Sequence, residues 1–117
     1  MLADIRFEPF SGGVIAAISG EIDISNADKI ESALRQVVTN DALGLVLDLS
    51  EVDYFDSAGI HLVYGLREDL RVRGQQMRLV VPERSSARDT LSLAGVLNAL
   101  EVDPDVATAT DAVAGRS

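Results

Sequence analysis

Leu45-Val46-Leu47-Asp48-Leu49, followed by Ser50-Glu51-Val52-Asp53-Tyr54-Phe55 and then Asp56-Ser57-Ala58-Gly59-Ile60, is the stretch on which the fold turns. Its first five residues form an apolar run of strand length. After it Ile60, Val63, Leu66 and Leu70 recur at helical spacing, with Leu62 beside them. Arg67, Glu68, Arg71 and Arg73 take the other side of this helix, and Gly74 stops it. The stretch therefore reads as strand, loop over Asp53–Ser57, helix. Ser57 stands where the helix begins, a position that Ser favours because its oxygen can accept a bond from a free N–H of the first turn. Such a helix end also favours an added anion. Two readings of Ser57 follow: a plain helix cap, which the local sequence favours, and a hydroxyl that can take a phosphoryl group among acidic neighbours.

Upstream, Ile5 to Phe10 reads as a first strand, broken by Pro9 and then by Ser11-Gly12-Gly13, a hairpin signal before a second apolar run, Val14 to Ile18. That second run is apolar enough to be buried on both faces. Gly20-Glu21-Ile22-Asp23 reads as a loop, and Ser25-Asn26-Ala27-Asp28 as a capping box that starts a helix running to about Thr39. Downstream, Met77 to Val81 is a fourth strand, Ser86-Ala87-Arg88-Asp89 opens a third helix, and a short strand falls near Leu100–Val102. Thr108 to Ala114 predicts a marginal helix, and Gly115-Arg116-Ser117 a frayed end. The order is a hairpin and then alternating helix and strand. It predicts an α/β fold with a small mixed four- to five-stranded sheet and helices packed against it. One domain spans residues 1–117, with its core at about 4–103.

The bulk properties exclude several classes. The chain has 117 residues, 47% of them hydrophobic, but only 3 Phe and 2 Tyr, so its core must be built from aliphatic side chains. Cysteine is absent, which removes disulfides and thiolate metal sites. A formal charge of −9 argues against nucleic acid and against an anionic membrane surface. Neither a signal peptide nor an apolar run of spanning length is seen, which points to a cytoplasmic protein.

The same stretch carries little catalytic promise. Phe55 stands where a hydrolase elbow would need Gly, and His61, four residues after Ser57, is poorly placed to serve it as a base. Glu21, Asp23, Asp53 and Asp56 all fall in segments read as loops after strands, and such loops converge at one sheet edge. They make a divalent cation conceivable, but solvated acidic loops are the plainer reading, and neither a cofactor nor a catalytic set is expected. Gly59, in the first helical turn, either lets another chain approach the Ser57 hydroxyl or packs tightly on a neighbouring strand.

Asp56-Ser57-Ala58-Gly59-Ile60 resembles the Asp-Ser-Ser/Thr-Gly-Leu signature of STAS domains, in particular the stand-alone bacterial anti-sigma factor antagonists. The preceding strand, the Gly20-Glu21-Ile22-Asp23 segment and the turn Ser92-Leu93-Ala94-Gly95-Val96 match the same family in order, from about Ile5 to Val102. The resemblance implies a non-enzymatic partner-switching protein. Its unphosphorylated form binds an anti-sigma factor that is itself a serine kinase, and so frees a sigma factor. Phosphorylation of Ser57 ends the binding, and a PP2C-type phosphatase resets it. By that likeness the partner surface comprises Glu21, Asp23, Asp53, Asp56, Ser57, Ala58, Gly59 and His61. Ala58 replaces the family's usual second hydroxyl, leaving Ser57 as the acceptor. The other reading is a STAS scaffold without phosphorylation, or a subunit of a larger transport or stress-sensing assembly. Edge strands and helix faces leave a weak homodimer open.

Overall fold

Ser11 and Gly12 turn the chain between β1 (Ala3–Phe10) and β2 (Gly13–Ile22), which pair antiparallel from Ala3↔Gly20 to Phe10↔Gly13. This computed structural model describes residues 3–115. The predicted end of Arg116 and Ser117 lies outside them. After the hairpin come α1 (Ala27–Val37), β3 (Gly44–Phe55), α2 (Ser57–Val72), β4 (Gln76–Val80) and α3 (Ser86–Leu93). A 3-10 turn at Leu97–Ala99, β5 (Val102–Asp103) and α4 (Val106–Ala114) complete the chain. The five strands lie in chain order, with every pairing after the hairpin parallel. This is the mixed sheet that the alternation of elements predicts.

Several boundaries differ from the sequence reading, each for a local reason. Pro9 does not break β1. It pairs with Val14 on an edge strand, where a missing N–H can face solvent. Gly20-Glu21-Ile22 is not a loop but the end of β2, and Asp53 lies within β3. The two strands run on together past two register shifts, to Glu21↔Tyr54 and Ile22↔Phe55. β2 is also not buried on both faces. Val14, Ala16 and Ile18 are buried, whereas Ile15 and Ala17 between them are only half-buried. β3 is the strand covered on both sides, and Leu45, Val46 and Leu47 are all inaccessible.

One face of the sheet meets α1, α2 and α3 through a single core that includes Ile18, Leu34, Leu47, Leu66 and Leu91. Truncating one of these, such as Leu66, to Ala costs about 2–5 kcal/mol. The other face carries α4, whose Ala109 and Val113 bury against Val46 and Val80. The final helix is thus not marginal. It begins at Val106, is capped by the Asp105 carboxylate accepting from the Thr108 N–H at 2.8 Å, and seals β3 and β4. Beneath its start, the buried Asp103 accepts two hydrogen bonds from Arg78, both 2.8 Å, which tie β5 to β4.

The N-caps of the first three helices are each displaced by one residue from the reading, and α4 begins two residues earlier than expected. Ser85, not Ser86, caps α3 by accepting from the Arg88 N–H. The Ser25-to-Asp28 capping box does not form. Asn26 precedes α1, and its side chain instead joins Glu21 to Asp23, accepting from the Asp23 N–H and donating to the Glu21 carbonyl. At the other end of α2, Gly74 takes φ +74°, and the Gln75 N–H returns to the Leu70 carbonyl at 2.8 Å. That bond closes the helix in the manner a left-handed glycine permits.

Candidate functional site

The paired ends of β2 and β3 carry the chain into α1 and α2 side by side, so both helices begin at the same edge of the sheet. Asp56 is the N-cap of α2, accepting from the Ala58 N–H at 2.9 Å, and Ser57 is the first helical residue. The cap expected of Ser57 is therefore supplied by its neighbour, and the Ser57 hydroxyl stands exposed. Beneath it, Phe55 ends β3 in the core, with its carbonyl accepting from the Thr90 hydroxyl at 2.6 Å. α3 thereby braces the strand end from which the site projects.

Ser57, Asp56, Ala58 and His61 form one wall of an open groove of about 640 Å³ between the two helices. Ile24, Ala27, Asp28 and Glu31 form the facing wall. Arg35 holds the walls together farther along, pairing with Glu31 on its own helix and with Asp69 of α2. Three carboxylates, those of Asp28, Glu31 and Asp56, thus border the groove. Ile24 stands 89% exposed at its mouth.

A second group of acids sits beside the groove around Tyr54. The Tyr54 hydroxyl donates to Asp56 at 3.2 Å, and this bond, with the negative charges of Asp56, Asp23 and Glu21, holds the phenol above its ordinary value of 10.0. Asp23 accepts from both the hydroxyl and the N–H of Ser25, which holds its carboxyl below the ordinary 3.8. Hydrogen bonds to the charged form are the cause.

The eight residues expected on this surface thus separate. Asp56, Ser57, Ala58 and His61 line the groove, and His61 does face it from one turn after Ser57. Glu21 and Asp23 flank Tyr54. Asp53 projects from β3 outside the groove lining. Gly59 is buried and opens no path to the hydroxyl. A Cβ there would lie 2.6 Å from the Phe55 ring, so the residue is Gly to let α2 rest on β3. Ile24 and Tyr54 were missed, because a lone apolar residue in a loop and an aromatic in an acidic segment carry no periodic signal. Among the described residues no group of three or more Asp, Glu or His side chains is arranged to hold a metal ion. No helix among them is long and apolar enough to cross a membrane.

The STAS-domain family model matches residues 6–109. The chain belongs to the STAS family. Osmosensory protein A of Mycobacterium tuberculosis is 43% identical to this STAS domain over 81 residues, which is 67% of the chain and 49% of that protein. The anti-sigma-F factor antagonist RsfB of the same species is 33% identical over 76 residues, 65% of the chain and 60% of RsfB. The chain thus spans about half to six-tenths of the length of these curated relatives. The crystal structure of an anti-sigma factor antagonist from Mycobacterium paratuberculosis superposes with a TM-score of 0.84 at 26% identity, covering 97% of this STAS domain and 95% of that chain. The five-stranded sheet, the hairpin and the helix placement are those of this fold.

Proposed function

We propose that this STAS domain is an anti-sigma factor antagonist, a binding protein and not an enzyme, switched by phosphorylation of Ser57. The observation that carries the reading is the Ser57 hydroxyl itself, exposed at the first residue of α2 on the lip of an acid-bordered groove. The unphosphorylated chain binds an anti-sigma factor with serine kinase activity, which modifies Ser57 and is then released, and a PP2C-type phosphatase restores the binding form. The similarity to RsfB and to the mycobacterial antagonist structure supports the partner class. The name of the 43%-identical relative supports an osmotic or related stress as the input.

Physical chemistry supports a local switch. A phosphoserine carries about −1.5 to −2 charges at neutral pH. At the start of a helix its charge is favourable, by about 0.3–1 kcal/mol. The fold therefore tolerates the modification. The groove does not, because the new anion joins Asp28, Glu31 and Asp56 and adds bulk where a partner must pack. Partner contact then includes Ile24 and Tyr54 beside the acids, with Gly59 acting from beneath through the helix position.

The test is phosphopeptide mass spectrometry of the protein from cells under several growth and stress conditions. A single phosphoryl group on Ser57 with changing occupancy is expected. A chain that stays unmodified at Ser57 in every condition overturns the switch.

A further inference from the structure

β1 is an edge strand with one side unpaired. Pro9 fixes which of its backbone groups face outward. Within the strand Pro is accommodated where its absent N–H would point away from β2, and the groups of alternate residues point the same way. The outer edge is therefore formed by the N–H and C=O groups of Ala3, Ile5 and Phe7.

The side chains of the same five-residue segment divide by face. Ala3 and Ile5 pack at the border of the helix-side core, and Phe7, opposite buried Ala16, stays 44% exposed. Asp4 and Arg6 point to the other face, both exposed, and neither has a hydrogen bond or ion pair among the described residues. Proteins commonly blunt an edge of this length with like charges or with proline along it. Here Pro9 blunts only its end, and the two charges are opposite in sign and two residues apart.

We propose that two copies of this chain pair antiparallel through β1, about a two-fold axis at Ile5. In that register Ile5 faces Ile5 of the second copy, Ala3 faces Phe7, and Asp4 faces Arg6, twice by symmetry. All three outward residues of each strand exchange backbone hydrogen bonds, and Pro9 lies beyond them. The apolar row Ala3-Ile5-Phe7 becomes continuous on one face, and the two Asp4–Arg6 pairs close the other. The competing register centred on Phe7 sets Arg6 against Glu8, but it places Pro9 opposite Ile5 and forfeits a hydrogen bond at each end. Such an interface is isologous and closed, so it stops at the dimer. It joins the two sheets into one and leaves both Ser57 grooves free, because β1 is separated from β3 by β2. Each chain carries −9, so long-range repulsion opposes the pairing, and moderate salt is needed to screen it.

Sedimentation velocity of the full chain across a concentration series in about 0.15 M salt tests this. The expected mass rises from 12.5 kDa toward twice that value. Arg6→Asp and Asp4→Arg should each weaken association at least tenfold, with circular dichroism unchanged. The double variant Asp4→Arg/Arg6→Asp should restore it. A monomer at every concentration overturns the proposal. So does a dimer indifferent to the single changes, or one that the double exchange fails to restore, as the Phe7-centred register would.

Discussion

At Ser57 the structural outcome of modification is set by its neighbour Asp56. Asp56 already satisfies the Ala58 N–H, so the hydroxyl carries no structural duty and can change without loosening α2. Ser57→Asp should therefore leave the thermal midpoint within a degree or two while weakening the anti-sigma partner about a hundredfold, or ~2.7 kcal/mol, by isothermal titration calorimetry. Ile24→Asp should weaken the same complex without any charge at position 57, because it removes the exposed apolar contact at the groove mouth. Gly59 is different in kind. Gly59→Ala pushes a methyl into the Phe55 ring and should lower stability by about 1–3 kcal/mol in urea denaturation. The place of Ser57 at a strand-to-helix junction was legible in the sequence, whereas the capping role that the local sequence favours for it falls to Asp56. The role of Gly59 was not legible, since a glycine required by an aromatic ring four residues earlier looks the same as one that offers access.

Among the elements, the strands were legible where apolar residues run together and obscure where they thin out. Asp53 to Phe55 opens with an acid and a phenol and reads as the start of a loop, yet it is held as strand by the continuation of β2 alongside it. Only the partner strand supplies that information. The caps of α2 and α3 were read one residue away because Asp56 and Ser57, or Ser85 and Ser86, are all competent caps. Ser85→Ala should cost about 1 kcal/mol in α3 stability. Two loop and cap carboxylates give these junctions an acid limit. Asp23 and Asp105 are both held below 3.8, by Ser25 and by Thr108. The unfolded chain then takes up protons at higher pH than the folded one. Their contribution is complete above the ordinary value and is lost as pH falls through the lower folded values. Urea midpoints should stay level from about pH 6 to 5 and decline below about 4.

Across the whole molecule, the two faces of the sheet are closed in different ways: one by a continuous aliphatic core, the other by a small cluster under α4 beside a nearly buried ion pair. Asp103→Ala leaves Arg78 beneath α4 without its two bonds, and should cost about 1.5–3 kcal/mol by chemical denaturation. The strand order 1-2-3-4-5 has a consequence for how the chain is made. On the ribosome, every strand after the first emerges to find the strand it will join already outside the tunnel. The helices α1 and α2, with Ser57 at the start of the second, are synthesised before any of the residues after Val72. Nascent chains therefore gain their recognition end early, and α4 closes the other face of the sheet only afterwards.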